Sequence, residues 1–490
     1  MIKSIKITLL LLLISFSVSA QKNNIFHDRS FWKTNPSITI IDQKIDEGND
    51  LTALNINAFD GTMYAILEKT DNKTIKYLLS KKGNGVNKLT HDGRTYIFWA
   101  AYKGNVEIMK HLIAKGAQTD VIDTHGNTYM NFAASTGQLK KEVYEYAFKV
   151  GADITKEKNH DDANALLLIA SHLKDDKLVD YFISKGATLN DKDINDNGLF
   201  EYAAKGGNIQ FLKILLNREV NKGKNAMIFA ANGSRRSQNK LETYLFLEKN
   251  GIKPNIVDAN NRNPLHYIAR NNKDLASFKY FINKGVSINL QDKDGNSPFI
   301  NAASNNSLEI VTFLSKYVKD INLKNKNGVS ALTNSVNRNS VDVIEFLLKN
   351  KADINTIDKE GNTLSYYLIR NFSTKKPEVF EQKLILLEKN GLVINQLQNK
   401  GNTLLHIATS ENNLALLQRL SSFNIDVNTK NEDGLSALQI AVMKAKNTEI
   451  IKYLISIGAD INVKTDYDET LFDLASENEL LKKQDINFLK

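Results

Sequence analysis

The sequence predicts an all-α solenoid: a stack of helix pairs joined by short extended arms that turn back like β-hairpins. Three observations carry that expectation. A phrase recurs, as KADIN at 351–355, GADIN at 458–462, GADIT at 151–155 and, more weakly, KDIN at 319–322. A turn glycine recurs with it, at Gly61, Gly93, Gly126, Gly295, Gly328, Gly361, Gly401 and Gly434. Asp162, Asp196, Asn261 and Asp468 stand where the glycine is replaced, and Gly223 aligns in an unusual setting. Asn and Asp are the residues that best replace glycine where a turn needs positive φ. The thirteen positions run from 61 to 468, a mean period of about 34 residues, beside the roughly 33 of one repeat class. Third, two stretches with apolar residues at helical spacing follow each turn.

Taken in order, the first element is an export signal. Residues 1–20, MIKSIKITLLLLLISFSVSA, begin with Lys3 and Lys6, continue with an apolar centre and end on a small-residue cleavage site. The apolar run is shorter than the roughly 20 residues of a membrane-spanning helix, so an anchor is not expected. Residues 21–60 form an N-terminal cap and a first partial repeat, with Phe26, Phe31 and Trp32 ahead of a helix led by Pro36. Repeats of a first lobe fill 61–222 and those of a second lobe fill 223–476. The truncated connection at 217–225 suits a bend between them. The charged segment 477–490 is expected to be a helical C-terminal cap.

One unit shows the internal logic. Residues 292–295 suit a tight turn, Ser297 a helix cap and Pro298 the first helical position, where a missing N–H costs nothing. Ala302 and Ala303 allow close helix approach, and a second helix begins near Leu308. In the unit of Gly93 the second helix carries Val106, Ile108, Met109, Leu112 and Ile113, then stops at Lys115-Gly116. Such a pair cannot bury its apolar face alone; stacked on like neighbours it can.

At these residues the chain resembles the ankyrin repeat, of an exported bacterial type. The motif T-P-L-H-x-A-A is matched by Asn263-Pro264-Leu265-His266, Thr403-Leu404-Leu405-His406-Ile407-Ala408 and Ser297-Pro298-Phe299, and G-A-D by Gly458-Ala459-Asp460. The resemblance covers about 27–490 and implies about 13 repeats plus the cap. It also implies that His266 and His406 tie neighbouring turns by hydrogen bonds.

Composition and motifs narrow the function. The 490 residues carry a formal charge of +9 and no cysteine, which removes disulfides, thiolate metal sites and a Cys nucleophile. No phosphate-loop, dinucleotide, nucleophile-elbow or H-E-x-x-H pattern occurs. His160-Asp161-Asp162 reads as a solvated turn rather than a metal site, and no cofactor is expected. Arg235-Arg236 with Lys240, and Lys375-Lys376, are small basic turns and not a nucleic-acid stripe. Trp99 is expected between repeats, and Trp32 in the cap.

What remains is protein recognition. The resemblance implies partner binding on the concave face of the array, at arm tips and first helices. By position this gives His91, Asp92, Arg94, Tyr102 and Lys103, then Thr124, His125 and Asn127, then Lys293, Asp294 and Asn296, then Lys326, Asn327 and Arg338. Arg94 with Tyr102 is the expected anchor pair. The chain is thus expected to be a monomeric, non-enzymatic, exported scaffold, periplasmic or secreted. The rival readings are a secreted effector that binds a host or competitor protein, and an enzyme with its site in an insertion such as 233–240.

Overall fold

The computed structural model describes residues 24–234 and 237–490; the expected signal at 1–20 lies outside them. All regular structure among the described residues is helical. The arms pair only through isolated bridges such as Lys192 with Gly198 and Gln398 with Asn402. They are turns rather than strands.

The pair Pro298–Asn305 and Leu308–Ser315 shows why these residues fold as they do. The Ser297 hydroxyl accepts the Ile300 N–H, and Pro298 stands in the first turn. Ala302 and Ala303 are fully buried, as are Ile310, Val311 and Leu314 of the second helix. Each such aliphatic side chain contributes roughly 1.5–3 kcal/mol. Because the apolar face of one pair meets the next pair, burial is shared between repeats and no central core is needed.

The turns are built to one plan. The Asp292 N–H donates to the Asn296 carbonyl and the Gly295 N–H to the Asp292 carbonyl, both at 2.9 Å. The Asp292 carboxylate accepts the N–H groups of Asp294 and Asn296. Gly295 has φ +81°, and a Cβ there would stand 2.7 Å from the Lys326 nitrogen. Glycine is needed here for both conformation and space.

Three expectations are corrected. Gly61 is not a turn glycine: it is the first residue of helix Gly61–Glu68, capped by Asp60. The left-handed residue of that turn is Ala58, φ +56°. Gly61 is small because Leu51, Phe26 and Trp32 close on it, at 2.8–3.1 Å from a would-be Cβ. Pro36 does not lead a helix, which runs Ile38–Asp46 behind the Ser37 cap. The C-terminal segment is not a helix either: after Leu471–Glu477 come turns and a 3-10 turn at Asn487–Leu489. Asn478 closes that end by donating to the Val442 and Ala445 carbonyls. The insertion near 371–381 partly lengthens a second helix, Pro377–Lys389, to 13 residues.

The chain divides into two compact units, one of 1–202 with 217–221, the other of 203–216 with 222–490. In the first, the aromatic cap of Phe26 and Trp32 is fully buried, and the Trp32 indole N–H donates to the Phe26 carbonyl. In the second, an asparagine ladder runs between repeats. Asn306 donates to the Ala269 and Asn272 carbonyls, and Asn339 to those of Ala303 and Asn306.

Candidate partner-binding surface

Successive turns are joined main chain to main chain, which places their tips in rows. In the first unit the His91 N–H donates to the Ala58 carbonyl (2.9 Å), Thr124 to Asp92 (3.0 Å), His160 to His125 (3.2 Å) and Ile194 to Asp161 (2.8 Å). In the second, Lys293 donates to Asn260, Lys326 to Asp294 and Lys359 to Asn327, at 2.9–3.0 Å. Side chains at equivalent positions therefore stand in line, one repeat apart.

The first residue of each turn is commonly an aspartate, and it is satisfied in one of two ways. A tyrosine nine residues on can donate to it, as Tyr202 does to Asp193 (3.0 Å), Tyr267 to Asp258 and Tyr367 to Asp358 (2.6 Å). Where that position holds Phe132 or Asn301, an arginine from the preceding turn takes over. Arg94 then reaches Asp123 (2.8 Å) and Arg262 reaches Asp292 (2.9 Å).

This changes the role of Arg94. It is only 6% exposed, paired with Asp123 and Asp92 and laid over the Phe132 ring at 4.1 Å. Burial works against the Asp123 carboxylate. The Asn127 N–H, Arg94 and the His125 N–H outweigh it and hold its pKa below the ordinary aspartate value. Arg94 belongs to the architecture, not to the free surface. Asn127 is likewise buried, its amide turned to Asp123. Asp92 is half-buried, and its carboxylate draws in Arg94, His91 (3.4 Å) and His125 (3.6 Å).

The other expected tip residues stand as follows. Thr124 and His125 are exposed. Tyr102 is half-buried edge-on to Phe132, and the Lys103 ammonium lies over its ring at 5.2 Å. Lys103 shares a groove with Lys69 and Lys140 from adjacent repeats. In the second unit Lys293, Asp294, Lys326, Asn327 and Arg338 are exposed. Asn296 is half-buried, accepting from Asn325.

His266 and His406 are buried beneath the turns. Each ring accepts the N–H of its helix cap, Asn263 or Thr403, at Nδ1. Nε2 then donates to the next turn, at Asn296 O (3.1 Å) and Leu435 O (3.0 Å). Burial lowers both imidazole pKa values, against the opposing pull of those carbonyls, and keeps the rings neutral. Trp99 is 5% exposed, donates to Thr90 Oγ1 at 2.8 Å and packs on Phe132. Among the described residues no group of three or more acidic or histidine side chains is placed to hold a metal ion. No described helix is long and apolar enough to cross a membrane.

Sequence reasoning missed Lys383. It is 2% exposed, its ammonium donates to the Val336 carbonyl at 2.8 Å, and burial pushes its pKa down to about 8. It serves the last turn of helix Ala331–Arg338 from a repeat whose inter-helix turn carries the 371–381 insertion.

Repeat geometry of this kind has known counterparts. A model for ankyrin repeats in three copies matches residues 62–158, 235–325 and 376–465, and the single ankyrin repeat matches 327–359. These stretches cover more than half of the chain, which belongs to the ankyrin-repeat family. An ankyrin repeat protein of Acanthamoeba polyphaga mimivirus is 25% identical over 239 residues, 47% of this chain and 30% of its own length. One from fowlpox virus is 35% identical over 89 residues, 18% of this chain and 26% of that protein. The Notch-regulated ankyrin repeat-containing protein of Xenopus laevis is 34% identical over 88 residues, 18% of this chain and 74% of that protein. The match thus spans under a third of the two viral proteins. These relatives are viral and vertebrate and lend nothing to an exported bacterial type.

Proposed function

We propose that this chain is a non-enzymatic scaffold that binds a partner protein through the turn tips and first helices of its repeats. The observation that carries the reading is the turn-to-turn ladder of main-chain bonds. It fixes the spacing of the tips while their side chains vary: Thr124 and His125 in the first unit, Lys293, Asp294, Lys326 and Asn327 in the second. Within each unit, a regular row with changing chemistry suits recognition of an extended protein surface. Arg94 leaves the proposed contact set. Tyr102 and Lys103 stay in it, as an aromatic face under a cation.

About thirteen repeats, a monomeric state and export complete the proposal. Export rests on the signal-like pattern of residues 1–20 and places the scaffold in the periplasm or outside the cell. Fusing those residues to a reporter active only after translocation tests export; a reporter that stays inactive refutes it. For binding, the triple variant Tyr102→Ala, Thr124→Ala, His125→Ala is expected to fold normally and to weaken capture of the partner at least tenfold. Undiminished capture removes this face.

A further inference from the structure

Apart from the truncated connection at 217–225, one arm breaks the rule that the others keep. From the residue that opens an arm to the first residue of its turn the interval is six: Ala117 to Asp123, Ala187 to Asp193, Val286 to Asp292, Ala352 to Asp358 and Ala459 to Thr465. From Ala152 to Asn159 it is seven. Both ends of this arm are in register with the rest. The Ala152 N–H closes the preceding helix on the Ala147 carbonyl, as Ala117 does on Leu112, and the Asn159 N–H meets the Ala163 carbonyl, as Asp123 meets Asn127. The extra residue is absorbed in between, where the N–H groups of Lys156 and Glu157 both turn back to the Asp153 carbonyl.

The result is a notch of about 290 Å3 between this arm and the one before it. Thr128, Tyr129, Glu157, Asp120 and Ile122 line it, with Lys156 and Lys158 at the rim. Its polar groups are incompletely used. Tyr129 is 1% exposed, yet its hydroxyl has no hydrogen-bond partner. Tyr96, at the same place in the preceding repeat, gives its hydroxyl to Asp60 at 2.6 Å. Asn131, fully buried behind the notch, donates to the Glu157 carbonyl but leaves its own Oδ1 unpartnered. The Glu157 carboxylate accepts from the Thr128 hydroxyl and the Asp153 N–H, and no described cation pairs with it. Lys156 turns to Asp153 and Lys158 to Asp162. Burial accordingly raises the Glu157 pKa, against the Thr128 and Asp153 bonds.

All three groups can accept a further hydrogen bond: the unpartnered phenol oxygen, which can also donate, the unpartnered amide oxygen, and a carboxylate that already accepts from Thr128 and Asp153 but has no counter-ion. What the site lacks is a cation of its own: the two rim lysines are turned to Asp153 and Asp162. A guanidinium supplies one, with five N–H groups in a flat fork that can reach separated acceptors and lie against an aromatic or aliphatic wall. We propose that the notch between residues 119–122 and 151–158 receives an arginine side chain of the partner protein, held by Glu157, Asp120 and Tyr129. Ile122, 60% exposed at the rim, covers the methylene stem.

The identity of the donor as a protein rests on the scaffold reading; the chemistry of the notch does not, and it is tested alone. Acetyl-arginine amide is titrated into the full chain labelled at isoleucine methyl groups. The citrulline and lysine counterparts are titrated in parallel. The expected result is a saturable shift of Ile122 with the arginine probe, at least tenfold weaker with neutral citrulline and with lysine. Glu157→Gln is expected to cost at least tenfold. Deleting Lys156, which restores the six-residue interval, is expected to abolish the shift while distant isoleucines keep theirs. No shift with arginine, equal binding of citrulline or lysine, or indifference to Glu157→Gln overturns the proposal. That failure leaves the turn-tip surface untouched, whereas undiminished capture by the triple tip variant leaves the notch intact.

Discussion

Replacing Arg94 by Ala separates architecture from recognition. The side chain is nearly enclosed, and its nitrogens meet Asp123 at 2.8 Å and Asp92 at 3.0 Å. The Asp123 side chain is itself fully buried. Removing the arginine leaves a buried carboxylate held only by the His125 and Asn127 groups. Breaking a buried pair in this one-sided way costs about 3–5 kcal/mol. Loss of the stacking on Phe132 adds roughly 0.5–1 kcal/mol. Asp123→Asn keeps an acceptor for the turn and removes the charge, so the double variant should be less damaged than the sum of the singles by about 1–3 kcal/mol. Urea unfolding followed by tryptophan fluorescence reports it, because Trp99 stands 5.5 Å from the Arg94 guanidinium. An unchanged midpoint for Arg94→Ala, or strict additivity in the cycle, would refute the buried-bridge reasoning and return Arg94 to the surface.

Lys383→Met should stabilise the protein at neutral pH. In the native state the ammonium pKa is about 8 against an ordinary 10.5, so the unfolded chain binds more protons between those values and wild-type stability rises with pH there. The advantage of Lys383→Met should therefore shrink by about 2.5 kcal/mol from pH 7 to pH 10; a difference independent of pH contradicts it. The lowered pKa values of His266 and His406 mean that the unfolded state takes up protons first on acidification. The contribution of these two rings to stability should be full above about pH 6.5 and fall below it, and paired His266→Gln and His406→Gln variants should flatten that fall in denaturant titrations. Ala302→Glu places a carboxylate where no solvent reaches and should cost several kcal/mol; an unchanged melting curve would show that the helices do not meet there.

Much of the repeat was legible because its signals are local. Ser297 and Pro298 specify a helix start through their own backbone chemistry, and Gly295 a left-handed turn. Gly61 misled because a glycine at a helix start, needed for packing under Leu51 and Trp32, looks in sequence like a turn glycine displaced by three. The role of Arg94 was hidden because it depends on residue 132 of the next repeat being Phe rather than Tyr, which leaves Asp123 without its usual donor. Lys383 was hidden for a like reason: its burial follows from the course of a long insertion. The notch could have been found by counting, since one seven-residue interval among intervals of six is visible in the sequence alone.

The central claim is that a fixed row of turn tips presents variable side chains to a partner protein. Quantitative affinity capture from the native source, with the full chain beside the Tyr102→Ala, Thr124→Ala, His125→Ala variant, tests it most directly, once matched unfolding curves show both baits folded. The account expects at least one protein retained by the first bait and lost from the second, with direct binding reproduced using purified components. Identical captures by the two baits would contradict it.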